Sequence, residues 1–502
     1  MDFSGEPVYP QALLDSFERT PDTPAFEHGS RVVTRGEALE LISRFASGLR
    51  AAGLGRGSGV AIATGVNPEG FAVQIAAQVL GCRVVGVRPG LTPSQLAHIV
   101  GTDIDALVVE DAVATPELFA AAESAKVLRV GPELLGDNKK PQAQGRPDDI
   151  AVVYFTSGST GAPKGVALAY SALTAHWSWQ PSLWSPHTRE LAENYERFLL
   201  FGTLTSAVIQ EHLGICLFSG GTAVIPESLP VFPEVIEELK VSACLLTVPR
   251  LSHVLDVLRD KKVDVSSWRM LLVAGSPLTR HRFAEALERL GSTVRQGYGQ
   301  TETGVLTFLS ADDVARRPET LGSVGRPSDE VDLEVRDDDG NPLPAGEVGE
   351  IWVRTPYEMA GYWKDEKQTA EVLRDGWVRT RDLGHLDAEG FLYLTGRARE
   401  VVIVNAIIHY VGPIERVLAS HPDVDQAYVV GAPDEKTGEA AHAFVIPADG
   451  REPAFDALRA LVAAELGEAA VPSTFTVIDS VPIGPSGKPD KLALLSAARQ
   501  PS

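Results

Sequence analysis

Cysteine is scarce in this chain, and its few positions exclude two kinds of site. Three cysteines, Cys82, Cys216 and Cys244, occur among 502 residues, and they are far apart in the sequence. A disulfide framework or a cysteine-based metal site needs several cysteines at short, regular spacings. Each cysteine lies in an apolar run, so we expect all three to be small residues of the hydrophobic core.

Long hydrophobic runs are missing as well. No apolar run approaches the roughly 20 residues that a membrane-spanning helix needs. The first residues, Met-Asp-Phe-Ser-Gly-Glu, lack the positive start and the apolar segment of a signal peptide. These two absences predict a cytoplasmic protein without a membrane span.

Positive charge is in short supply compared with negative charge. The chain has 45 Lys and Arg residues against 67 Asp and Glu residues, which gives a formal net charge of −22. Nucleic-acid binding needs a basic face, so this balance argues against a nucleic-acid partner. A local basic pocket for one nucleotide is compatible with the total, and nothing in the sequence indicates an oligomeric state.

The order of apolar runs predicts the fold class. Strand-like and helix-like runs alternate between residues 60 and 130 and again between residues 243 and 297, a pattern typical of parallel sheets with helices on both faces. Short runs with Gly and Pro turns at residues 321–378 predict a small β-barrel. We expect an α/β protein whose N-terminal domain, residues 1–395, contains two doubly wound sheets and the barrel. Residues 396–502 are expected to form an α+β C-terminal domain.

Three stretches give finer expectations about local structure. Residues 12–55 place apolar side chains at spacings of three and four, which predicts helix. Residues 166–179 also have a helical pattern. Residues 186–197 are polar and charged, which predicts an exposed excursion.

Residues 154–166 have the composition of a phosphate-binding loop. They read Tyr-Phe-Thr-Ser-Gly-Ser-Thr-Gly-Ala-Pro-Lys-Gly-Val and follow a strand-like run. Glycines let backbone N–H groups approach an anion, hydroxyls add donors, and a lysine adds a mobile positive charge. The candidate nucleotide ligands in this loop are Thr156, Ser157, Gly158, Ser159, Thr160, Gly161 and Lys164.

The loop differs from the common P-loop in one essential respect. Pro163 precedes Lys164 and Gly165 follows it, so the hydroxyl that binds magnesium and opens a helix is missing. The order Thr-Ser-Gly-Ser-Thr-Gly-x-Pro-Lys-Gly instead resembles the phosphate loop of adenylate-forming enzymes. This superfamily includes acyl-CoA synthetases, peptide-synthetase adenylation domains and luciferases. Within it, the chain resembles acyl-CoA ligases and fatty acyl-AMP ligases most.

A second motif, Gly-Tyr-Gly-Gln-Thr-Glu-Thr-Gly at residues 297–304, follows another strand-like run. Ligands of open α/β sheets bind at the carboxyl ends of strands, Tyr298 offers a flat face for a base, and Glu302 suits Mg²⁺. The motif could also be only a turn, but it resembles the adenine- and metal-binding segment of the same superfamily. That resemblance implies nucleotide contacts from Gly297, Tyr298, Gly299, Gln300 and, upstream, Ser276, and catalytic roles for Thr301 and Glu302.

Three motifs nearer the C-terminus follow the order of the superfamily. The segment Thr-Arg-Asp-Leu-Gly around Asp382 resembles the ribose-binding region, and Gly-Arg at Arg397 leads into the hinge at Arg399. The final Pro-Ser-Gly-Lys resembles the terminal signature, which implies that Lys488 is the catalytic lysine. Gly-Tyr-Trp at residues 361–363 resembles part of the barrel segment.

The resemblance implies a two-step reaction. A carboxylate attacks the α-phosphate of ATP to give an acyl-adenylate, and a mobile C-terminal domain then rotates so that a thiol can attack the adenylate. The implied cofactors are ATP or AMP, Mg²⁺ and CoA as acyl acceptor, with a carrier-protein thiol as the other acceptor. The acid itself cannot be identified, but the small residues Thr205, Ala274 and Gly275 hint at a roomy apolar pocket. Trp177, Trp179 and Trp184 form either its wall or part of the core.

The sequence departs from the superfamily at three positions. Ala406 replaces an expected glycine beside the thiol path. The segment Gly-Thr-Leu-Thr-Ser-Ala at residues 202–207 stands where an aromatic residue or histidine is usual before the next glycine. Arg381 replaces the glycine before Asp382. The first two departures suggest that one half-reaction is weakened or absent, while the adenylate is still bound. The alternatives are therefore an enzyme of adenylation alone, an enzyme that only thioesterifies a preformed acyl-AMP, a luciferase-type oxygenase, and a non-catalytic nucleotide sensor.

Overall fold

The computed structural model describes residues 6–101, 103–156, 163–276, 278–398, 400–404, 407–434, 437–448, 450–484 and 488–498. Its helices are α1 (Gln11–Arg19), α2 (Arg35–Ala51), α3 (Pro68–Val79), α4 (Pro93–Val100), α5 (Pro116–Ala121), α6 (Tyr170–Ala175), α7 (Pro186–Ala192), α8 (Ala207–Phe218), α9 (Glu234–Leu239), α10 (Val248–Asp260), α11 (Arg280–Leu290), α12 (Ala311–Arg316), α13 (Glu366–Val372), α14 (Val411–Ala419), α15 (Phe455–Leu466) and α16 (Lys491–Ala498).

The strands fall into four sheets. They are β1 (Pro24–His28), β2 (Arg31–Thr34), β3 (Gly59–Ala63), β4 (Arg83–Gly86), β5 (Ala106–Val109), β6 (Lys126–Arg129), β7 (Ile150–Thr156), β8 (Lys164–Ala169), β9 (Arg197–Leu199), β10 (Thr222–Ile225), β11 (Ala243–Thr247), β12 (Met270–Ala274), β13 (Val294–Gln300), β14 (Gly304–Ser310), β15 (Arg326–Pro327), β16 (Asp332–Arg336), β17 (Gly349–Arg354), β18 (Gly361–Tyr362), β19 (Leu373–Arg374), β20 (Trp377–Leu386), β21 (Leu392–Arg397), β22 (Val401–Val404), β23 (Ile407–Tyr410), β24 (Val424–Asp434), β25 (Gly438–Pro447) and β26 (Thr474–Val477).

The first two sheets are mainly parallel and confirm the predicted α/β class. One has seven strands in the order β18-β8-β7-β4-β3-β5-β6, and the other has nine in the order β15-β14-β13-β12-β11-β9-β10-β1-β2. Strands β3 and β5 are buried along their whole length, as expected where helices cover both faces of a parallel sheet. In both sheets the strands that carry the candidate motifs, β8 and β14, run antiparallel to their neighbours β7 and β13.

The third and fourth sheets are smaller. Strands β16, β17, β19, β20 and β21 form an antiparallel sheet of five strands in the region of the predicted barrel. The sheet extends to Arg397, beyond the predicted end at residue 378. Strands β22 to β26 form the fourth sheet, against which α14 and α15 pack. We call the described residues from Glu400 to Ala498, which include this sheet, α14, α15, α16 and their connections, the C-terminal unit.

Two local predictions were wrong because the partner strand lies far away in the sequence. Residues 166–169 are strand rather than helix, since β8 folds back on β7 and pairs Ala167 with Val153; helix α6 begins only at Tyr170. Residues 24–34 are a hairpin rather than helix, because β1 pairs with β10 and aligns Phe26 with Ala223. A short apolar run alone cannot distinguish a buried strand from a helix.

Two further predictions need correction. The polar stretch at residues 186–197 contains α7 and the start of β9, and its apolar members Leu191, Ala192 and Tyr195 are buried. Gly361 and Tyr362 do not belong to the barrel sheet, because β18 pairs with β8 and so joins the seven-stranded sheet. The second correction moves Tyr362 next to the phosphate loop.

Candidate active site

The candidate phosphate loop closes the hairpin of β7 and β8. Thr156 pairs with Lys164 and Phe155 pairs with Gly165, so the loop leaves and re-enters the sheet at adjacent positions. Ser157, Gly158, Ser159, Thr160 and Gly161 lie outside the described residues. The two flanking candidates, Thr156 and Lys164, are therefore held at one edge of the sheet.

An aromatic ring connects Lys164 to the candidate metal ligand. The Lys164 ammonium lies 5.4 Å from the centre of the Tyr362 ring, within the range of a cation–π contact. The Tyr362 hydroxyl donates a hydrogen bond of 2.9 Å to Oε1 of Glu302. Because β18 pairs with β8, the two sheets meet here and bring a lysine of one motif next to a glutamate of the other.

Backbone hydrogen bonds hold this connection in place. The Met359 N–H donates to the carbonyl of Glu302 at 2.9 Å, and the Trp363 N–H donates to the carbonyl of Gly165 at 2.7 Å. The indole of Trp363 in turn lies 4.1 Å from the Arg83 guanidinium. Tyr362 was missed as a site residue, although its Gly-Tyr-Trp motif was noted, because its strand partner is about two hundred residues upstream.

The second motif forms the hairpin of β13 and β14. Gly297 to Gln300 are the last residues of β13, residues 301–303 make the turn, and Thr303 donates its N–H to the Gln300 carbonyl at 3.1 Å. A Cβ on Gly299 would lie 2.3 Å from the Gly304 carbonyl oxygen, so only glycine fits. Thr301 and Glu302 are half-buried at the tip of this hairpin.

Asp382 is the point at which several candidate residues meet. Its carboxylate accepts from the Tyr298 hydroxyl at 2.8 Å, from Gln300 Nε2 at 2.7 Å and from Arg397 Nε at 2.9 Å. The residue is 5% exposed. A carboxylate has about four acceptor positions, so three donors leave room for one more bond. Burial and the neighbouring Asp382 carboxylate raise the pKa of Tyr298, which keeps its hydroxyl a donor.

Lys488 reaches this site from the C-terminal unit. A Cβ on Gly275 would lie 3.6 Å from Cε of Lys488, and Gly275 has φ +96°, which favours glycine. Desolvation in the cleft and the charge of Arg397 lower the pKa of Lys488, while Glu302 and Asp382 oppose that shift. The lysine therefore lies in the electric field of the residues that the other motifs supply.

The segment that carries Lys488 is tied to its own unit. The Gly484 N–H donates to the Lys488 carbonyl at 2.8 Å, and the Lys491 ammonium lies 2.8 Å from Glu400 and 2.9 Å from Glu415. The hinge candidate Arg399 lies outside the described residues. Lys491 was not identified from the sequence, because a lysine near a chain end has no signal that separates it from solvated lysines.

The structure describes all three residues predicted to line the acid pocket. Ala274 ends β12 and is half-buried, Gly275 is exposed and Ser276 is half-buried. Thr205 packs on Gly86, where a Cβ would lie 2.5 Å from it. With Arg88, Phe155 and Pro163, these two residues line a cavity of about 20 Å³. Trp177 and Trp179 are buried in the core, and Trp184 packs against it.

A buried polar cluster that the sequence did not reveal lies behind the second motif. The His176 ring lies 4.3 Å from the Tyr357 ring, and Nε2 of His176 is 3.3 Å from Oε1 of Glu211. Gly304 lies against both rings, since a Cβ there would be 2.9 Å from Tyr357 and 3.3 Å from His176. Burial, Glu330 and Glu211 raise the pKa of Tyr357. The cluster supports the strand that follows Glu302.

The structure describes two of the three departures from the superfamily. Arg381 has φ +60°, a conformation that favours glycine, and its guanidinium pairs with Glu371 at 3.0 Å. Gly202 has φ +87°, and a Cβ there would have no neighbour within 4 Å. Ala406 lies outside the described residues; the strands on both sides, β22 and β23, pair Val404 with Ile407.

The residues fit a magnesium ion that is held mainly by its substrate. Within the described ranges, no group of three or more His, Cys, Asp or Glu side chains could hold a metal by itself. Mg²⁺ in nucleotide sites takes one or two carboxylates and completes its shell with phosphate oxygens and water. Glu302 would supply one such carboxylate, and Lys164 and Lys488 lie near it.

Across the part of the chain that is described, no helix is long and apolar enough to cross a membrane.

Comparison with known proteins agrees with this geometry. The family described as AMP-binding enzyme matches residues 13–363, and the AMP-binding enzyme C-terminal domain matches residues 413–488. Feruloyl-CoA synthase of an Amycolatopsis species is 32% identical over 93% of this chain and 94% of its own length.

Two solved structures have the same overall fold. The amide bond synthetase McbA from Marinactinospora thermotolerans is 34% identical, with a TM-score of 0.81 over 97% of this chain and 98% of McbA. The o-succinylbenzoate-CoA synthetase of Bacillus subtilis in complex with ATP and a magnesium ion is 25% identical, with a TM-score of 0.79 over 95% and 97% of the two chains. By sequence and by fold, the chain belongs to the AMP-binding enzyme family.

Proposed function

We propose that the protein is an AMP-forming acid–thiol ligase. In the first step a carboxylate oxygen of the acid bonds to the α-phosphorus of ATP, the bond to the β-phosphate breaks and pyrophosphate leaves. In the second step a thiol sulfur bonds to the acyl carbon, AMP leaves and the thiol proton passes to solvent. The observation that carries the proposal is the meeting of Lys488 with Gly275 in the field of Glu302 and Asp382.

The nucleotide would bind along the three motifs. Asp382 and Arg397 would hold the ribose, and Tyr298, with the backbone of Gly297, Gly299 and Gln300 and with Ser276, would enclose the adenine. The triphosphate would contact Thr156, Ser157, Gly158, Ser159, Thr160, Gly161 and Lys164. Support for the ribose assignment comes from the buried Asp382 carboxylate, which keeps one acceptor position after three donors.

Charge neutralisation would lower the barrier of the first step. Two anions, the carboxylate and the phosphate, must approach each other, so fixed positive charge at that point stabilises the transition state most. Lys488 and Lys164 supply it, and Thr301 would hold the attacking carboxylate. Mg²⁺ on Glu302 would neutralise the phosphates when it is bound.

The second step would use another face of the protein. We propose that residues 396–502 turn as a domain on residues 1–395, with the hinge at Arg399, after the adenylate has formed. Thr205, Ala274 and Gly275 would line the acid pocket. CoA is the acceptor that the acyl-CoA ligase relatives favour, and a carrier-protein thiol would react in the same way.

Amide formation is a second candidate for the second step. McbA, an amide bond synthetase, is 34% identical over nearly the whole chain. In addition, Ala406 replaces the glycine expected beside the thiol path. An amine would then attack the acyl-adenylate in place of the thiol.

One assay separates the two candidates. Pyrophosphate release is measured across fatty, aryl and heteroaryl acids with ATP and Mg²⁺, and positive acids are then incubated with CoA or with a panel of amines. Mass spectrometry identifies the thioester or the amide, and Lys488→Ala serves as control. If no acid releases pyrophosphate above that control, the proposed function is wrong.

A further inference from the structure

Among the described residues, a short segment outside the hinge contacts the C-terminal unit. The segment comprises Gly275 and Ser276, which follow β12, and residues 278–282, which lead into the first turn of α11. Gly275 in this segment lies against Lys488, and His281 and Arg282 bind Asp425 at the start of β24. The segment thus contacts the unit at two points that are more than sixty residues apart in the unit's sequence.

The contact at Asp425 is a buried bidentate ion pair. Arg282 donates from Nε to Oδ1 at 2.7 Å and from Nη2 to Oδ2 at 2.8 Å, and His281 Nε2 lies 2.8 Å from Oδ1. The side chains of Arg282 and Asp425 are each 7% exposed. Burial opposes ionisation of Asp425, but the hydrogen bonds from His281 and Arg282 prevail and lower its pKa.

The two partners depend on the contact unequally. Arg282 also contacts Asp256 at 2.8 Å and Glu285 at 3.3 Å, both in its own part of the protein. Among the described residues, Arg282 is the only arginine or lysine in contact with Asp425, and His281 adds a hydrogen bond. If the unit turned away, Arg282 would keep two carboxylates, whereas Asp425 would lose both Arg282 and His281. The pair can therefore break without leaving an unpaired arginine.

The position of this pair matters for Lys488. At the hinge, Arg416 donates to the Thr395 carbonyl, and Gly396 packs closely against Gly412. Contacts at the hinge alone set the position of the C-terminal unit there but do not set its angle to the rest of the protein. A second contact away from the hinge sets that angle, because the two hydrogen bonds of a bidentate arginine–carboxylate pair form only within a narrow range of orientations.

We propose that Asp425 is a positioning residue that holds the C-terminal unit in the orientation that brings Lys488 to the adenylation site. Its pair with Arg282 stabilises the first half-reaction and must break before any orientation that moves Lys488 away. The kinetic part of this inference rests on the proposed function; the part about orientation does not.

The first experiment measures orientation without using activity. Spin labels are attached to Leu229→Cys, at an 86% exposed position, and Val477→Cys, at a 46% exposed position in the C-terminal unit, since the native cysteines are buried. We expect a narrow distance distribution in this background and a broad or shifted one after Asp425→Asn. Asp425→Lys, which places a cation against Arg282, should broaden it further. An unchanged distribution in both variants overturns the proposal.

A matched control variant tests whether any lost aspartate would have the same effect. Asp423 lies two residues away and pairs with Arg451, within the same unit, at 3.1 Å. Asp423→Asn should leave the distance distribution unchanged. If it broadens the distribution as much as Asp425→Asn does, the effect is general loosening of the unit and the proposal fails.

The second experiment compares the two half-reactions. We expect Asp425→Asn to lower kcat for adenylation about tenfold, a typical size for coupling between distant sites, with little change in KM. Transfer from a preformed acyl-adenylate should be unchanged or faster. Equal loss in both steps contradicts the proposal. If wild type shows no adenylation with any acid, the proposed function fails, while the distance measurement still decides the role of Asp425.

Discussion

The two halves of the candidate site are held in different ways. The wall formed by Tyr298, Gln300 and Asp382 belongs to paired strands, and its side chains hydrogen-bond to one another at 2.7 to 2.8 Å. Lys488 is instead part of a separate unit, whose described contacts with that wall are few. The fold therefore fixes the side chains of the wall, whereas the position of Lys488 depends on how the C-terminal unit is oriented. Changes to the two halves should have different kinetic consequences.

The largest effect is expected for Lys488→Ala. Removal of one preorganised group at a developing charge typically costs about 100- to 1000-fold in rate, and we expect a loss of that size in adenylation. Stability and ATP affinity should change little, because the wall does not depend on Lys488. Single-turnover pyrophosphate release measures the first step, and thioester or amide formation from synthetic acyl-adenylate measures the second. Equal losses of rate in both steps would contradict the proposal that Lys488 serves the first step only.

Asp382→Asn should affect binding and stability together. The change removes the charge on which Tyr298, Gln300 and Arg397 converge, and bonds to a buried charged group contribute about 1.5–3 kcal/mol each. We expect ATP to bind at least tenfold more weakly, as measured by calorimetry, with a lower melting temperature. Asp332→Asn, in an exposed pair with Arg354, is the control and should change neither quantity. Normal ATP affinity in Asp382→Asn would show that the wall does not hold the nucleotide.

Tyr362→Phe should have a smaller and more selective effect. The variant keeps the ring beside Lys164 but removes the hydroxyl that binds Glu302. We expect the Mg²⁺ concentration for half-maximal adenylation to rise a few-fold, with stability changed by about 1 kcal/mol, the usual worth of one hydrogen bond. Tyr410→Phe, at an exposed position, is the matched control. If the Mg²⁺ concentration for half-maximal adenylation is unchanged, the Tyr362 hydroxyl does not contribute to magnesium binding.

The smallest expected effect is a shift in pH dependence. Desolvation and Arg397 lower the pKa of Lys488, and only its protonated form carries the required charge. The adenylation rate should therefore be constant at low pH and fall as pH rises through that lowered pKa, earlier than for an ordinary lysine. The second step should lack this alkaline loss. In Lys488→Arg the adenylation rate should no longer fall at alkaline pH, because a guanidinium stays charged. If the rate of this variant falls at the same pH as that of wild type, the titrating group is not Lys488.

Much of the site was predictable because its motifs are local. The phosphate loop, the hairpin at residues 297–304 and the segment around Asp382 each place their functional side chains within about ten residues. The need for glycine at positions 275, 299 and 304 also arises from local or nearly local geometry, because each has a positive φ or lies too close to its neighbours for a Cβ. The amino-acid composition of such short segments is enough to predict their local backbone conformation.

Most of the errors and omissions have a common physical cause. Strands β1, β8 and β18 were misassigned because their hydrogen-bond partners are distant in the sequence and their apolar runs are too short to have a clear period. Tyr362 and the cluster of His176 with Glu211 were missed because their partners also lie far away in the sequence. Lys491 was missed because a lysine near a chain end carries no signal that separates it from solvated lysines. A buried polar residue is recognisable only from what it contacts.

The sequence by itself determined the family and the fold class, because hydrophobic pattern and loop composition are properties of neighbouring residues. Only the tertiary structure decided which motifs meet. Pairing of β18 with β8 brought Tyr362 between Lys164 and Glu302, and docking of the C-terminal unit placed Asp425 on Arg282, 143 residues away. Such contacts depend on the packing of whole sheets, since a charge can be buried only where the fold supplies its partner.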